Sequence, residues 1–173
     1  LEGLKPHSNL RSLKIVGFQG SRFPQWMVRQ NLLSLHNLVQ LQLEHLDELE
    51  DLPPTKRFPK LEKLRLHWLP KLESVPEDTS NLTCLRRLEI SCCHSLTSLP
   101  NLNSLATLQE LEMIGCPNLT HLWEDSTWQD GILSLENLCI SNCPNLEAIP
   151  AIQKLQSLRK LQIESCESLN LSL

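Results

Sequence analysis

The sequence predicts a protein of the α/β class built as a solenoid: a curved right-handed superhelix with a parallel β-sheet on its concave face and a mostly 3₁₀ or irregular convex side. Three observations carry this expectation. An apolar rung recurs along the chain, each copy contains a strand-like two-residue step, and the connections place apolar residues three apart. Leu135–Pro150 (LENLCISNCPNLEAIP) has all three, with apolar residues at Leu135, Leu138, Ile140, Cys143, Leu146 and Ile149 before Pro150. Six such residues cannot bury themselves, so the rung makes physical sense only with copies stacked on either side.

Alignment on L-x-x-L-x-[LI] gives seven rungs, beginning at Leu10, Leu38, Leu61, Leu85, Leu108, Leu135 and Leu158. The second apolar sites are Leu13, Leu41, Leu64, Leu88, Leu111, Leu138 and Leu161, and the third are Ile15, Leu43, Leu66, Ile90, Met113, Ile140 and Ile163. Successive starts lie 28, 23, 24, 23, 27 and 23 residues apart, inside the range of leucine-rich repeats. Residues 1–173 are expected to form one such repeat domain of about seven repeats, uncapped at both ends. The chain starts inside an apolar pattern without Met, which reads as a piece of a longer protein.

Each rung should contribute one short strand at its L-x-[LI] step. Strands one chain turn apart must run parallel, about 4.8 Å from each other, with the apolar set inward and the alternate residues on the concave surface. Three residues after the third apolar site comes a further column, Phe18, Leu46, Leu69, Cys93, Cys116, Cys143 and Cys166. The chain turns off the strand there, and a thiol suits the place as a small hydrophobe with a weak donor. Parallel side-chain directions do not give disulfide geometry, so the column is read as packing. A second apolar pair and Pro follow, as in Leu72, Val75, Pro76 and Leu96, Leu99, Pro100. Pro cannot donate to a ladder and starts the return, whose three-residue spacing suits 3₁₀ turns. The first and fifth rungs are longer, carrying Gln19–Asn31 and Trp123–Gly131, and extra residues loop out locally. Trp26 is expected to seal the core, whereas Trp128 fits either a core or a contact role.

Composition removes several function classes. A net charge of -4 and a pI near 5.9 argue against a nucleic-acid partner, and no window is long and apolar enough for a membrane span. The seven cysteines are odd in number and not spaced as metal-binding pairs, which favours a reduced, cytoplasmic setting. Asn-x-Ser/Thr triplets at Asn81, Asn118 and Asn170 are read as coincidence in a chain rich in Asn-Leu pairs. None of the six His falls at catalytic or metal-binding spacing, although His67 and Glu44 are placed to face each other on adjacent strands. Phosphate loops, catalytic carboxylate pairs and nucleophile elbows are absent from the sequence, so an enzyme is not expected.

The outward positions point instead to binding. Lys63, Arg65, Arg86 and Arg87 read as a basic patch across the third and fourth rungs, with Glu110 and Glu112 as an acidic strip beside it. Such a bipolar surface orients a charged partner. Trp68, at a strand exit on the basic rung, is the candidate anchor, since Trp and Arg are enriched at energetic centres of interfaces. The candidate partner-binding residues are therefore Lys63, Arg65, His67, Trp68, Arg87, Glu89, Glu110, Glu112 and Trp128. The competing reading is that these charges solubilise the face and pair with one another.

Gly17–Met27 (GFQGSRFPQWM) resembles a signature of plant intracellular immune receptors of the coiled-coil, nucleotide-binding, leucine-rich-repeat class, in which a strand end and Gly-containing turn precede Phe-Pro-x-Trp. Leu4–Ile15 (LKPHSNLRSLKI) resembles the segment that leads into it. Rungs such as LRRLEISCCHSLTSLP and LENLCISNCPNLEAIP resemble the C-terminal repeats of those receptors. The resemblance implies a protein partner, either a pathogen effector or a guarded host protein, and restraint of the receptor's own nucleotide-binding domain at rest. No G-x-x-x-x-G-K-[ST] loop is present, so this fragment is expected to hold no cofactor, ATP or ADP belonging to the absent nucleotide-binding domain. The alternative readings are the substrate-recognition repeats of an F-box ubiquitin-ligase adaptor and, less in keeping with these rungs, a secreted repeat with cysteine-paired caps.

Overall fold

The computed structural model describes residues 1–4, 6–29, 35–76, 79–99, 102, 105–122, 134–149 and 152–170. Seven strands of five residues each run through it: β1 Ser12–Val16, β2 Gln40–Glu44, β3 Lys63–His67, β4 Arg87–Ser91, β5 Glu110–Ile114, β6 Asn137–Ser141 and β7 Lys160–Glu164. They form one parallel sheet in sequence order. The register carries the two apolar columns through without a slip: Leu13, Leu41 and Leu64 stand in line, as do Ile15, Leu43 and Leu66, and so on to Leu161 and Ile163. A one-residue slip would turn every buried side chain outward, which is why the leucines fix the stacking.

Hydrogen bonds brace each rung on both sides of the strand. The residue just before a strand accepts two bonds from the next rung; Arg86 O, for example, takes Gln109 N at 2.8 Å and Glu110 N at 2.9 Å. Further along, a second ladder joins Ser74, Ser98, His121 and Ala148 as isolated parallel bridges. It is supported by Thr97 N to Glu73 O at 3.3 Å, Thr120 N to Thr97 O at 3.1 Å and Glu147 N to Thr120 O at 3.0 Å. This ladder was not evident from the sequence, because the second apolar pair has no two-residue alternation. In the rungs of Ser74, Ser98 and Ala148 the bridge falls two residues before a Pro in the sequence, a residue that has no N–H to give to a ladder.

The core lies between the two ladders and is almost wholly aliphatic. Leu66, Leu69, Leu72, Ile90, Leu96, Met113, Leu119, Leu138 and Leu146 are fully enclosed. The thiols of Cys93, Cys116 and Cys143 are buried in the same stack, and each bonds a carbonyl two residues back, at 3.7, 3.7 and 3.5 Å respectively. All seven cysteines are free. Burial pushes the Cys93 thiol up to about 11, and Cys116 is pushed up too, by its hydrogen bond with Cys143 and then by burial. These thiols pack and cap the turn, as expected for the column.

Among the described residues, the convex side carries 3₁₀ turns at Thr55–Arg57, Thr79–Asn81 and Ile152–Lys154 and one α-turn, α1, at Gln25–Val28. The Phe-Pro-x-Trp segment builds α1 and closes the first rung. Phe23, Trp26 and Met27 are buried, the Trp26 indole N–H donates to Leu1 O at 3.0 Å, and the Arg57 guanidinium donates to Trp26 O at 3.3 Å. A Cβ at Gly20 would meet the Phe18 ring, so any larger residue there asks that ring to move. Trp26 thus seals the core, as expected. The fifth-rung loop with Trp123 and Trp128 lies outside the described residues.

Candidate functional site

The edge of the concave face is set by one backbone device that repeats in every rung. The residue immediately after each strand has positive φ: Gly17 (67°), His45 (52°), Trp68 (55°), Cys92 (56°), Gly115 (64°), Asn142 (54°) and Ser165 (51°). Its N–H still belongs to the ladder, as in Trp68 N to Ser91 O at 2.8 Å and Asn142 N to Glu164 O at 2.9 Å. The left-handed turn then throws the chain off the sheet and drops the next side chain into the core column. Gly and Asn adopt this conformation readily, whereas other residues pay about 1–2 kcal/mol for it. The column escaped sequence reasoning because its residues share neither size nor polarity. Its one signal was two Gly and an Asn at the same register.

Trp68 is therefore the bulkiest residue placed where a side chain is least comfortable, and it is 39% exposed. It does not stand alone. Its ring lies 5.4 Å from that of His94, edge to face at 83°, and 6.1 Å from that of His45. His45 in turn meets His67 edge-on at 5.3 Å. His67 Nδ1 is 2.7 Å from Ser91 Oγ, so the ring is fixed from the neighbouring strand. Burial, then the charges of His45 and Arg65, push the His67 imidazole below its ordinary value.

The charged residues are arranged differently from the sequence expectation. The basic patch and acidic strip do not form as separate fields. Lys14 pairs with Glu44 at 2.8 Å, Arg65 reaches Glu44 at 3.5 Å and Glu89 at 3.2 Å, and Arg87 pairs with Glu89 and Glu110 and lies 3.7 Å from Glu112. One interlocked lattice thus crosses β1 to β5. The physical reason is the register: Arg65 stands between Gln42 and Glu89 in its column, and Arg87 between Lys63 and Glu110. Neighbours on a solenoid face are one rung apart rather than adjacent in sequence, so charges that look clustered along the chain alternate in space. Glu44 and His67 are register partners as expected, but Glu44 is spent on Lys14 and Arg65. The hydrogen bond from Lys14 holds its carboxyl below the ordinary value, and the hydrogen bond to Glu89 raises Arg87. Lys63 and Arg86 remain exposed outside the lattice.

Of the candidate residues, the structure brings together Arg65, Arg87, Glu89, Glu110 and Glu112 in the lattice, and His67 with Trp68 in the ring cluster at its edge. Beyond the lattice, a shallow hollow of about 200 Å³ is lined by Arg87, Glu110, Glu112, Asn137, Cys139 and Lys160. Among the described residues no group of three or more His, Cys, Asp or Glu could hold a metal ion, and no helix is long and apolar enough to cross a membrane. Among the described residues, the arrangement offers a polar, concave surface with one exposed tryptophan, Trp68, at its edge.

This architecture defines a leucine-rich-repeat solenoid, and solved structures agree on the fold. The chain superposes on the leucine-rich repeat domain of the type III effector XopL with a TM-score of 0.60 and 21% identity, over 90% of this chain and 69% of that one. A leucine-rich-repeat protein of Leptospira interrogans gives a TM-score of 0.53 at 21% identity, over 90% and 49%. The family model for R13L1/DRL21 LRRs matches residues 1–69. The sequence is 37% identical over 134 residues to disease resistance protein RGA2 of Solanum bulbocastanum, covering 69% of this chain and 14% of that protein. It is 35% identical to the putative disease resistance protein RGA1 of the same plant, covering 68% and 12%. It is 30% identical to disease resistance protein RPP5 of Arabidopsis thaliana, covering 70% and 8%. The chain is thus a stretch of leucine-rich repeats similar in sequence to plant disease resistance proteins, and it spans only a small part of the length of these relatives.

Proposed function

We propose that this chain is the protein-recognition and regulatory module of a plant immune receptor that works in the cytoplasm. It senses a pathogen effector, directly or through a guarded host protein, and at rest it restrains the receptor's nucleotide-binding domain. ATP or ADP is held by that domain and not by these repeats, which do no chemistry of their own. The observation that carries the reading is the concave face: a five-strand ion-pair lattice bordered by an exposed Trp68, in a chain similar to disease resistance proteins. A lattice of this kind sets orientation and rejects mismatched charge, while the indole supplies contact area.

The experiment is the double exchange Arg65→Glu, Arg87→Glu in the intact receptor, with circular dichroism as the check on folding. Partner affinity should fall about tenfold or more, or the receptor should signal without a partner, as expected when charges central to an interface are reversed. A folded variant with unchanged affinity and unchanged resting state removes the concave face from the mechanism.

A further inference from the structure

We propose that residues 1–4 act as a releasable strap on the first rung: their withdrawal undoes α1 and opens the Phe-Pro-x-Trp segment. This goes beyond the reading of the concave face and does not depend on it.

On its own, α1 cannot persist. It has four residues, far short of the length at which a helix is stable alone. Its N-cap is Pro24, which makes no side-chain capping bond, and its first turn contains no acidic residue. The acceptor comes instead from elsewhere in the chain, since Gln25 N donates to Glu2 Oε1 at 3.0 Å. A second tie reaches the same segment, because the Trp26 indole N–H donates to Leu1 O at 3.0 Å. Leu1 O also takes Leu4 N at 3.0 Å, so one carbonyl closes the turn of residues 1–4 and receives the indole. On its other side α1 is anchored: Trp26 O receives the guanidinium of Arg57, a buried residue.

The strap itself lies in solvent. Leu1 and Leu4 are 39% and 54% exposed, Glu2 and Gly3 are exposed as well, and a Cβ on Gly3 would meet nothing within 4 Å. An exposed turn tied to α1 through Leu1 and Glu2 is the kind of unit that opens locally, well before the stacked strands do. What it secures has the opposite character. Phe23, Trp26 and Met27 are buried, and Glu2 forms part of the wall of a crevice of about 510 Å³ that also meets Phe23, Val28, Leu52 and Pro53. Withdrawal removes that part of the wall and both ties together, so α1 loses its acceptor as the crevice widens. A molecule that grips residues 1–4 away from α1 therefore draws the first rung open, by favouring the released state over the closed one.

The test is hydrogen exchange of the full chain read by mass spectrometry, comparing residues 25–29 with β6 as the internal control. Glu2→Ala, and Trp26→Phe, which keeps a ring and drops the N–H, should each speed exchange at 25–29 about tenfold; Glu2→Ala should leave β6 unchanged. Glu2→Gln keeps an acceptor oxygen and should recover most of the protection. The decisive arm uses the parent chain with a saturating antibody fragment raised against residues 1–8 as a linear peptide. Exchange at 25–29 should again rise about tenfold, an effect that a turn with a merely structural role would not show. Unchanged exchange with Glu2→Ala or Trp26→Phe, or Glu2→Gln no better protected than Glu2→Ala, overturns the proposal. So does acceleration by Glu2→Ala that spreads equally to β6, a bound fragment that leaves exchange unaltered, or a fragment that cannot bind the folded chain. None of these outcomes bears on the concave face, whose own test is the Arg65→Glu, Arg87→Glu exchange.

Discussion

The third and sixth rungs have the same skeleton and opposite surfaces. Lys63–Trp68 (KLRLHW) and Asn137–Asn142 (NLCISN) each place two buried aliphatic residues inward, Leu64 and Leu66 in one and Leu138 and Ile140 in the other. Each ends on a residue at nearly the same positive φ, 55° at Trp68 and 54° at Asn142. Outward, one offers Lys63, Arg65, His67 and an indole, the other Asn137, Cys139 and a carboxamide, with Ser141 buried at the end of its strand. The solenoid backbone is specified by its inward columns and one turn position, and the outward positions are free to change without disturbing it. That independence is what lets a repeat scaffold vary its recognition surface.

If the skeletons are equivalent, equal damage inside should have equal effect. Leu66→Ala and Leu138→Ala each empty a fully enclosed site and should each lose about 2–5 kcal/mol of stability, measured by urea unfolding of the whole chain. A loss well under about 1 kcal/mol at Leu138 would contradict the register on which every other inference depends. The turn position gives a subtler exchange. Asn142→Trp should lose about 1–2 kcal/mol, because a bulky residue is forced into the left-handed region without the ring neighbours that Trp68 has. The reciprocal Trp68→Asn relieves that strain and loses the ring contacts, so it should stay within about 1 kcal/mol of the parent. If the two exchanges instead destabilise equally, Trp68 is a packing residue and its exposure has no functional meaning.

This asymmetry also explains what could be read from the sequence. The apolar columns were legible because burial demands the same residue type in every rung, and a three-residue return spacing is enough to foresee 3₁₀ turns such as Thr55–Arg57. Trp26 was legible as core because Phe-Pro-x-Trp keeps its apolar residues at one-turn spacing. Trp68 was noticed for its residue type alone, and its φ and its imidazole neighbours were hidden. His45 and His94 come to it from flanking rungs, more than twenty residues away in each direction. The charges misled for the same reason: adjacency along the chain is not adjacency across the sheet. Reading Gln42, Arg65, Glu89 and Glu112 as a column would have disclosed the lattice before any coordinates.

The lattice sharpens the contrast between the two halves of the face. Arg87→Gln removes a guanidinium that serves Glu89, Glu110 and Glu112, so three carboxylates lose their shared cation. Arg87 is 40% exposed, so solvent screening limits the loss to about 1 kcal/mol, shrinking further in about 1 M salt. The equivalent neutral exchange on the sixth rung, Asn137→Ala, touches no ion pair and should show no salt dependence.

The smallest effect, and the most selective, is the response of the lattice to acid. The Glu44 carboxyl sits below its ordinary value of 4.5, first because Lys14 hydrogen-bonds to it, with burial opposing and the charges of Lys14 and Arg65 adding to the shift. A carboxylate whose folded value is depressed binds fewer protons in the folded state than in the unfolded one. The stability that it contributes is therefore fully present above about pH 4.5 and is lost as pH falls through the folded value. Glu44→Gln has no such proton to take up. The stability gap between parent and Glu44→Gln, read from urea midpoints, should be largest near neutrality and close progressively below about pH 4.5. A gap that stays constant down to about pH 3 would mean that Glu44 acts by packing and not by charge, and the lattice would then end at Arg65. Closure in the parent, with no corresponding change between the parent and Asn137→Ala, would place the acid sensitivity of the concave face in its charged half, where the backbone is indifferent to side-chain identity and the surface is not.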